Sequence, residues 1–398
     1  MPEVLVVGGG PVGLLTACLL AVRGIDVEVF EARSEPSLRS RAIGIHPPGM
    51  AALEQIGVAT EVVERAVKIR TGIVGCDGRA LGRLSFERAA PRHPFVASLP
   101  QHETEALLRG RFRQLRPGGL HEGVAVTDAH DRGDRVVVRT ADGRTVDVNY
   151  LVGADGGRSS VRAAAGIGWR TFGSGETYLM ADFPDQGANG STAVLFFERG
   201  GVVESFPLPE ARRRWVAMTE RLSPGATAGD LAALIRERTA VMLPQALGAP
   251  SAFSVQQRLA DLMVAGRIAL VGDAAHEISP IGGQGMNLGW LDAVALAPAL
   301  ERAVERDRNA ARDRAGSVDA SSAVAPTGLP FAATPELADY DRRRRRAARM
   351  AVRQAGFNMA MGRPYDGARL RARNALVRLL AVPPANQLLA RAFTMRWL

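Results

Sequence analysis

Apolar positions along this chain change period several times, and the changes mark the elements. The run Glu3–Val7 reads as a buried strand, followed by Gly8-Gly9-Gly10-Pro11-Val12-Gly13, a helix, and a second strand over Asp26–Phe30. Arg135–Arg139 and Thr145–Val148 read as paired strands across Ala141-Asp142-Gly143, a hairpin turn signal. Val194–Phe197, Gly201–Pro207 and Trp215–Thr219 are extended runs that predict the sheet of a second lobe. Ile268–Val271 is a further buried strand, ended by Gly272-Asp273, and a helix is expected from near Met286. At the C-terminus Leu337, Tyr340, Arg344, Ala348, Ala351 and Ala355 share one helical face, and a second helix is expected over Asp366–Leu380. Alternating strands and helices place the chain in the α/β class.

Composition narrows this. At 398 residues, 46% hydrophobic and 23% charged, the chain is long enough for two lobes around a sizeable core. The longest apolar run, Leu14–Val22, is far short of the ~18 residues of a membrane span, and no targeting signal is visible. Two cysteines, Cys18 and Cys76, argue against a disulfide framework and for a reducing, cytoplasmic setting. Residues 336–398 carry 14 Arg against 4 acidic residues, a surplus that accounts for the whole formal charge of +9. No aromatic interleaving or nucleic-acid motif accompanies it, so a solvated helical face is expected; an acidic carrier protein is the competing partner. Lys68 is the single lysine, which weighs against Schiff-base chemistry.

Candidate chemistry sits on two glycine-rich stretches. In the first, a GxGxxG between strand and helix, Gly8 makes the tight turn, Gly10 admits a pyrophosphate and Gly13 lets helix and strand pack. Glu31 follows the next strand, where a carboxylate accepts hydrogen bonds from ribose hydroxyls. In the second, Gly282, Gly283 and Gly285 precede a helix whose free amides face an anion or an electron-rich ring edge. Between them lie Ser40-Arg41-Ala42, with Arg41 placed to neutralise a phosphate, and Ala154-Asp155-Gly156-Gly157-Arg158-Ser159-Ser160-Val161-Arg162.

Together these motifs resemble the flavin-dependent aromatic hydroxylases, the single-component FAD monooxygenases similar to para-hydroxybenzoate hydroxylase. The resemblance rests on Gly8–Gly13 with Glu31, on Asp155-Gly156 with Ser159, Val161 and Arg162, and on Gly272-Asp273-Ala274-Ala275-His276 with Gly283-Gln284-Gly285-Met286-Asn287. It covers residues 1 to about 305. It implies a Rossmann-type, glutathione-reductase-like FAD-binding domain, a mixed β-sheet substrate lobe and a C-terminal helical cap. On that basis residues 1–69, 101–169 and 266–306 form the FAD domain, 70–100 and 170–265 the substrate lobe, 307–335 a flexible linker and 336–398 the cap.

By the same resemblance, Gly8, Gly10, Pro11, Val12 and Gly13 carry the cofactor turn, and Glu31 holds the adenosine ribose. Arg33, Arg41 and Gln101 lie along the ribose, pyrophosphate and ribityl chain, and the Val126 backbone meets adenine. Asp155 belongs to a motif that also serves NAD(P)H. Gly272 opens the motif in which Asp273 binds the ribityl or pyrophosphate side, Pro280 lines the isoalloxazine, Gly283 lets the backbone approach the cofactor, and amides from Gly285 through Met286 to Asn287 face N1 and O2. His46 and His276 are expected to pack or anchor, with no catalytic acid or base assigned. Tyr178, Met180, Phe196, Phe206, Trp215 and Met218 are candidates for substrate contact, and Arg258 for an anionic substrate or a lobe brace. The implied reaction uses NAD(P)H and O2 to hydroxylate an aromatic or polyketide-like small molecule through a flavin C4a-hydroperoxide. An oxidase or reductase of the same fold, or a non-redox flavin-binding partner of a carrier protein, are the competing readings. Four features depart from the family pattern: Pro48, Trp290 before Asp292, Pro298 where the long helix should kink or end, and the length of the linker.

Overall fold

The computed structural model describes residues 1–37, 42–87, 90–187, 189–278, 283–316 and 332–395. Its first sheet has six strands in the order Val264–Ala265, Ile268–Leu270, Tyr150–Gly153, Val4–Val7, Val27–Glu31 and Leu120–Glu122. All neighbours run parallel except the edge pair Val264–Ala265 with Ile268–Leu270. Val4–Val7 is central and buried at every position, as an apolar run without alternation requires when both faces are covered. The helix Pro11–Ala21 covers one face, and helix Gln284–Gly316 packs on it, with Trp290 Nε1 donating to the Pro11 carbonyl at 3.0 Å. The predicted hairpin forms as Val136–Thr140 against Thr145–Val148, extended to three strands by Val126–Asp131.

The second sheet has eight strands: His276–Glu277, Ser251–Ala260, Trp169–Pro184, Arg212–Thr219, Gly201–Leu208, Ala193–Glu198, Thr71–Cys76 and Arg79–Ser85. Here the pattern alternates, because the two faces have different neighbours. One set, Leu179, Ala181, Phe183, Val203, Trp215 and Ala217, packs under Leu231 and Ile235 of helix Ala228–Thr239. That helix begins with a capping box between Thr227 and Asp230. The opposite set faces a cavity shared with the first sheet.

Of the kink or end expected at Pro298, the end is ruled out, since helix Gln284–Gly316 runs through it, and the expected start of the linker is corrected. A helix-interior proline costs about 3 kcal/mol. Leu296, Ala297, Ala299 and Leu300 around it are almost fully buried, and a buried aliphatic side chain returns about 1.5–3 kcal/mol, so tertiary packing wins. The same helix occupies residues 307–316, where a linker was expected to begin. Asp307 accepts from Tyr150 Oη at 2.9 Å and Arg267 Nη1 at 2.6 Å, and Arg308 clamps Glu3 with two 2.6 Å hydrogen bonds. Composition missed these partners because they are distant in sequence. The rest of the expected linker, up to residue 331, lies outside the described residues.

Helices Pro335–Gly362, Gly367–Leu380 and Ala385–Phe393 form the cap. Leu337, Tyr340, Arg344, Ala348, Ala351 and Ala355 are all buried on one face. Of the five consecutive arginines only Arg344 is inside. Arg342 and Arg343 reach Asp339 on the helix surface, and Arg345 reaches Asp341. No helix among the described residues is long and apolar enough to cross a membrane.

Candidate active site

The chain leaves Val4–Val7 through Gly8, whose φ of +111° disfavours any side chain; a Cβ there would also lie 2.4 Å from the Ala154 carbonyl oxygen. At Gly13 a Cβ would fall 1.9 Å from the Gly8 oxygen, so this glycine serves packing. Gly10 is different: a Cβ built there meets nothing within 4 Å. Gly8, Gly10, Pro11 and Val12 line the cavity, and Gly13 does not.

Glu31, at the end of its strand, is 6% exposed and accepts from the Gly9 amide at 2.6 Å and from Arg33 Nε at 2.8 Å. Burial alone would raise its pKa, but these hydrogen bonds and the Arg33 charge hold it below the ordinary carboxylate value. A carboxylate has about four lone-pair sites, and the Arg33 amide at 2.9 Å and Arg33 Nη2 at 3.4 Å take the other two, so a ribose hydroxyl would have to displace the long Nη2 contact. Arg33 and Gln101 also line the cavity; Gln101 Oε1 accepts from the Ala42 amide at 3.4 Å. Val126 lines it too, although its carbonyl is taken by the Ser160 hydroxyl at 2.9 Å.

Asp155 caps the short helix Ser160–Ala164: its Oδ2 accepts from the Ser160 amide at 2.7 Å and the Val161 amide at 3.2 Å. Its Oδ1 is buried beside the cavity with no partner among the described residues. Arg162 ties this segment to the second glycine-rich stretch, donating to the carbonyls of Gly157 and Ala274 at 3.1 Å while its guanidinium lies 3.9 Å from the Trp169 ring centre. Asp273, on the one-turn helix Gly272–Ala274, faces the cavity with Gly283, Gly285 and Met286. Gly272 lies behind, with φ +61° and Val12 carbons 3.1 Å from where its Cβ would be.

The side chain of Asn287, whose amide was expected at the ring edge, holds the loops. It is fully buried, accepts from the His46 amide at 2.9 Å and donates to the carbonyls of Gly44 and Gly283 at 2.9 and 3.0 Å. Arg41 and Pro280 lie outside the described residues. His46 is buried at the cavity, edge-on to Phe393 at 5.8 Å.

His276 points away from the cavity. Its Nε2 is 2.6 Å from Asp292 Oδ2, both side chains are 0% exposed, and the Gly272 amide donates to the same oxygen at 3.1 Å. Arg344 of the cap donates to Asp292 Oδ1 at 2.7 Å and to the Leu288 carbonyl at 3.3 Å. Burial would raise the Asp292 pKa; His276 and Arg344 outweigh it and lower the value. The cap is thereby fixed to the glycine-rich stretch through a buried carboxylate.

The far wall of the cavity is the eight-stranded sheet. Tyr178, Met180, Leu195, Phe206 and Val216 line it, each two residues from another cavity-facing position on its strand. Phe196 and Trp215, expected as substrate contacts, stack on each other at 5.9 Å on the helix-covered side. Met218 packs against Gly201 and does not line the cavity. The sheet register turns Phe196 and Trp215 to that side, and register is not visible in a single strand; Met218, paired with Tyr178, shares the cavity face but lies outside the cavity lining. Arg258 lies at the cavity and pairs with Glu277 at 3.4 Å, a brace between strands. Among the wall residues not anticipated are Glu204, Arg214 and, from the cap, Phe393. A glutamate in the apolar strand Gly-Val-Val-Glu-Ser-Phe was the available signal for the first.

The cavity measures about 1070 Å³, somewhat more than the ~300–1,000 Å³ of a single small-molecule site. At one end are an open glycine turn and an unpartnered buried carboxylate oxygen; at the other, an apolar and aromatic wall. These features fit a dinucleotide with a flat ring system and leave space for a second molecule.

Comparison with known proteins agrees. The sequence pattern of the FAD binding domain family matches residues 1–314. The 6-methylpretetramide 4-monooxygenase of Streptomyces rimosus is 36% identical over 312 residues, covering 74% of this chain but only 55% of that protein. The 12-dehydrotetracycline 5-monooxygenase/anhydrotetracycline 6-monooxygenase of Streptomyces rimosus subsp. rimosus is 30% identical, covering 98% of this chain and 75% of that protein. Among solved structures, an anhydrotetracycline hydroxylase from Streptomyces rimosus superposes with a TM-score of 0.76 at 30% identity, over 99% of this chain and 76% of that one. A Diels-Alderase of pyrroindomycin biosynthesis gives 0.79 at 26% identity, over 99% and 80%. With the family pattern spanning both glycine-rich stretches, the chain belongs to the FAD binding domain family.

Proposed function

We propose that this protein is a cytoplasmic FAD-dependent monooxygenase that uses NAD(P)H and O2 to hydroxylate an aromatic or polyketide-like small molecule. The observation that carries the reading is the continuity of the cavity, from Gly10 and Glu31 at one end to Tyr178 and Phe206 at the other. Gly8, Gly10, Pro11 and Val12 would form the pyrophosphate turn, and Glu31 with Arg33 would take the adenosine ribose. Gln101, Val126, Asp155 and Asp273 would lie along the rest of the dinucleotide, and the amides at Gly283, Gly285 and Met286 would meet the ring edge that becomes negative on reduction. Gly13, Gly272 and Asn287 would act by packing these segments.

Bound FAD would supply the redox chemistry and oxygen activation. The protein's share is positional and electrostatic. The apolar sheet wall, with Met180, Val216 and Phe253, would keep water from the ring end of the cavity. The helix starting at Gln284 points its positive end there. A substrate entering as a phenolate needs no protein base, in keeping with His276 facing Asp292 and not the cavity.

A second reading is a flavin-binding protein without redox turnover, favoured by the likeness to a solved structure titled as a Diels-Alderase. Mixing the FAD-loaded protein anaerobically with NADPH or NADH separates the two. The monooxygenase reading predicts loss of the oxidised flavin band, accelerated by a bound aromatic substrate; flavin that stays oxidised with both nucleotides and every aromatic ligand supports the second. The basic cap would stay solvated on this account, since Arg342, Arg343 and Arg345 already pair within their own helix.

A further inference from the structure

Glu204 stands on strand Gly201–Leu208 between Leu195 and Val216, and the same cross-strand row continues to Met180. It lines the cavity at 4% exposure, and its Oε1 has no hydrogen-bond partner among the described residues. Tyr178, 1% exposed on strand Trp169–Pro184, stacks on Phe253 at 5.6 Å, and its hydroxyl likewise has no partner. Two buried polar groups without partners among the described residues, each costly to leave unpaired, thus lie on one apolar wall.

We infer that Glu204, as a neutral carboxylic acid, and Tyr178 form a donor pair that holds an acceptor oxygen of the substrate, a ketone, quinone or phenolic oxygen on a flat polycycle. This inference deepens the proposed function and rests on it. Among the described residues no cation neutralises Glu204. Arg214 on the neighbouring strand is engaged by Asp182 through hydrogen bonds of 2.7 and 2.9 Å. Glu176, near Tyr178, is paired with Arg363 at 2.8 Å. On strand Ala193–Glu198 the cavity-facing residues are Ala193 and Leu195, and on Val67–Ile69 the cavity-facing residue is Ile69, with Lys68 exposed. Burial pushes the Glu204 carboxyl up to about 8, so it is protonated at neutral pH, and burial also raises the Tyr178 phenol. Above that pH the carboxylate no longer donates and repels the acceptor.

The test compares 9-fluorenone, a tricyclic ketone that does not titrate, with fluorene, which has the same rings and no acceptor, by binding titration to the FAD-loaded protein. At about pH 6 the ketone should bind roughly tenfold more tightly, and the preference should vanish by about pH 10. Glu204→Leu should cut the preference to the few-fold that Tyr178 alone supports, equal at all pH values, without loss of thermal stability, since an apolar residue suits that row. Glu204→Gln, whose amide still donates, should keep the preference and lose its pH dependence. Tyr178→Phe should reduce it a few-fold. Equal binding of the two probes, no saturable binding of either, or a pH-independent preference in the parent overturns the inference. Because the readout is binding, a protein that behaves as predicted here but incorporates no oxygen contradicts the monooxygenase reading and leaves the donor pair standing.

Discussion

A Gly10→Val protein is expected to fold like the parent and to fail at one thing, holding FAD. Space around Gly10 is open on the cavity side, so the branched side chain meets no protein atom in the way. It would instead occupy the volume over which a pyrophosphate must approach the backbone. Overpacking of this kind costs about 1–3 kcal/mol, or roughly five- to 150-fold in FAD affinity. Flavin-free melting temperatures should match those of the parent, and fluorimetric titration should show the weakened binding. Gly13→Val should behave in the opposite manner, losing fold and cofactor together, because its side chain would strike the Gly8 carbonyl. Equal FAD affinity in the Gly10 variant would remove the pyrophosphate from this turn.

The second large effect is on stability. Arg344→Met removes one partner of the buried Asp292 and leaves the carboxylate with His276 and the Gly272 amide alone. Breaking a buried pair from one side costs about 3–5 kcal/mol. The sign with pH follows from the lowered Asp292 pKa: its contribution is complete above the ordinary carboxylate value of about 4 and is lost as pH falls through the lower folded-state value. The gap between parent and variant in denaturant midpoint should therefore be widest near neutrality and shrink in acid. A gap that is small at pH 7, or that grows on acidification, would show that the cap is not held by this carboxylate.

Much of this was legible in the chain, and the misses share a cause. Gly8, Gly10, Gly13 and Glu31 could be read because strand, turn and helix are adjacent in sequence, and local geometry dictates what each position tolerates. The strands of the second lobe could be read from their extended runs. Which of their residues face the cavity could not, since Phe196 and Trp215 are as apolar as Met180 and only the pairing of eight strands settles their side. That the Asn287 side chain ties loops together was not legible, since its partners at Gly44 and His46 lie some 240 positions away. The contacts that extend the long helix past Pro298 and through Asp307 are equally remote, with Tyr150, Arg267 and Glu3. Glu204 was visible as a polar residue in an apolar strand, but its meaning depends on the cavity in front of it.

Turnover under isotopically labelled O2 with NAD(P)H and an aromatic or polyketide-like substrate that accelerates flavin reduction tests the central claim most directly. The account predicts one labelled oxygen atom in the product by mass spectrometry, with the second in water. Label confined to water or peroxide, for every substrate that speeds reduction, would contradict it and leave an oxidase or reductase built on the same cavity.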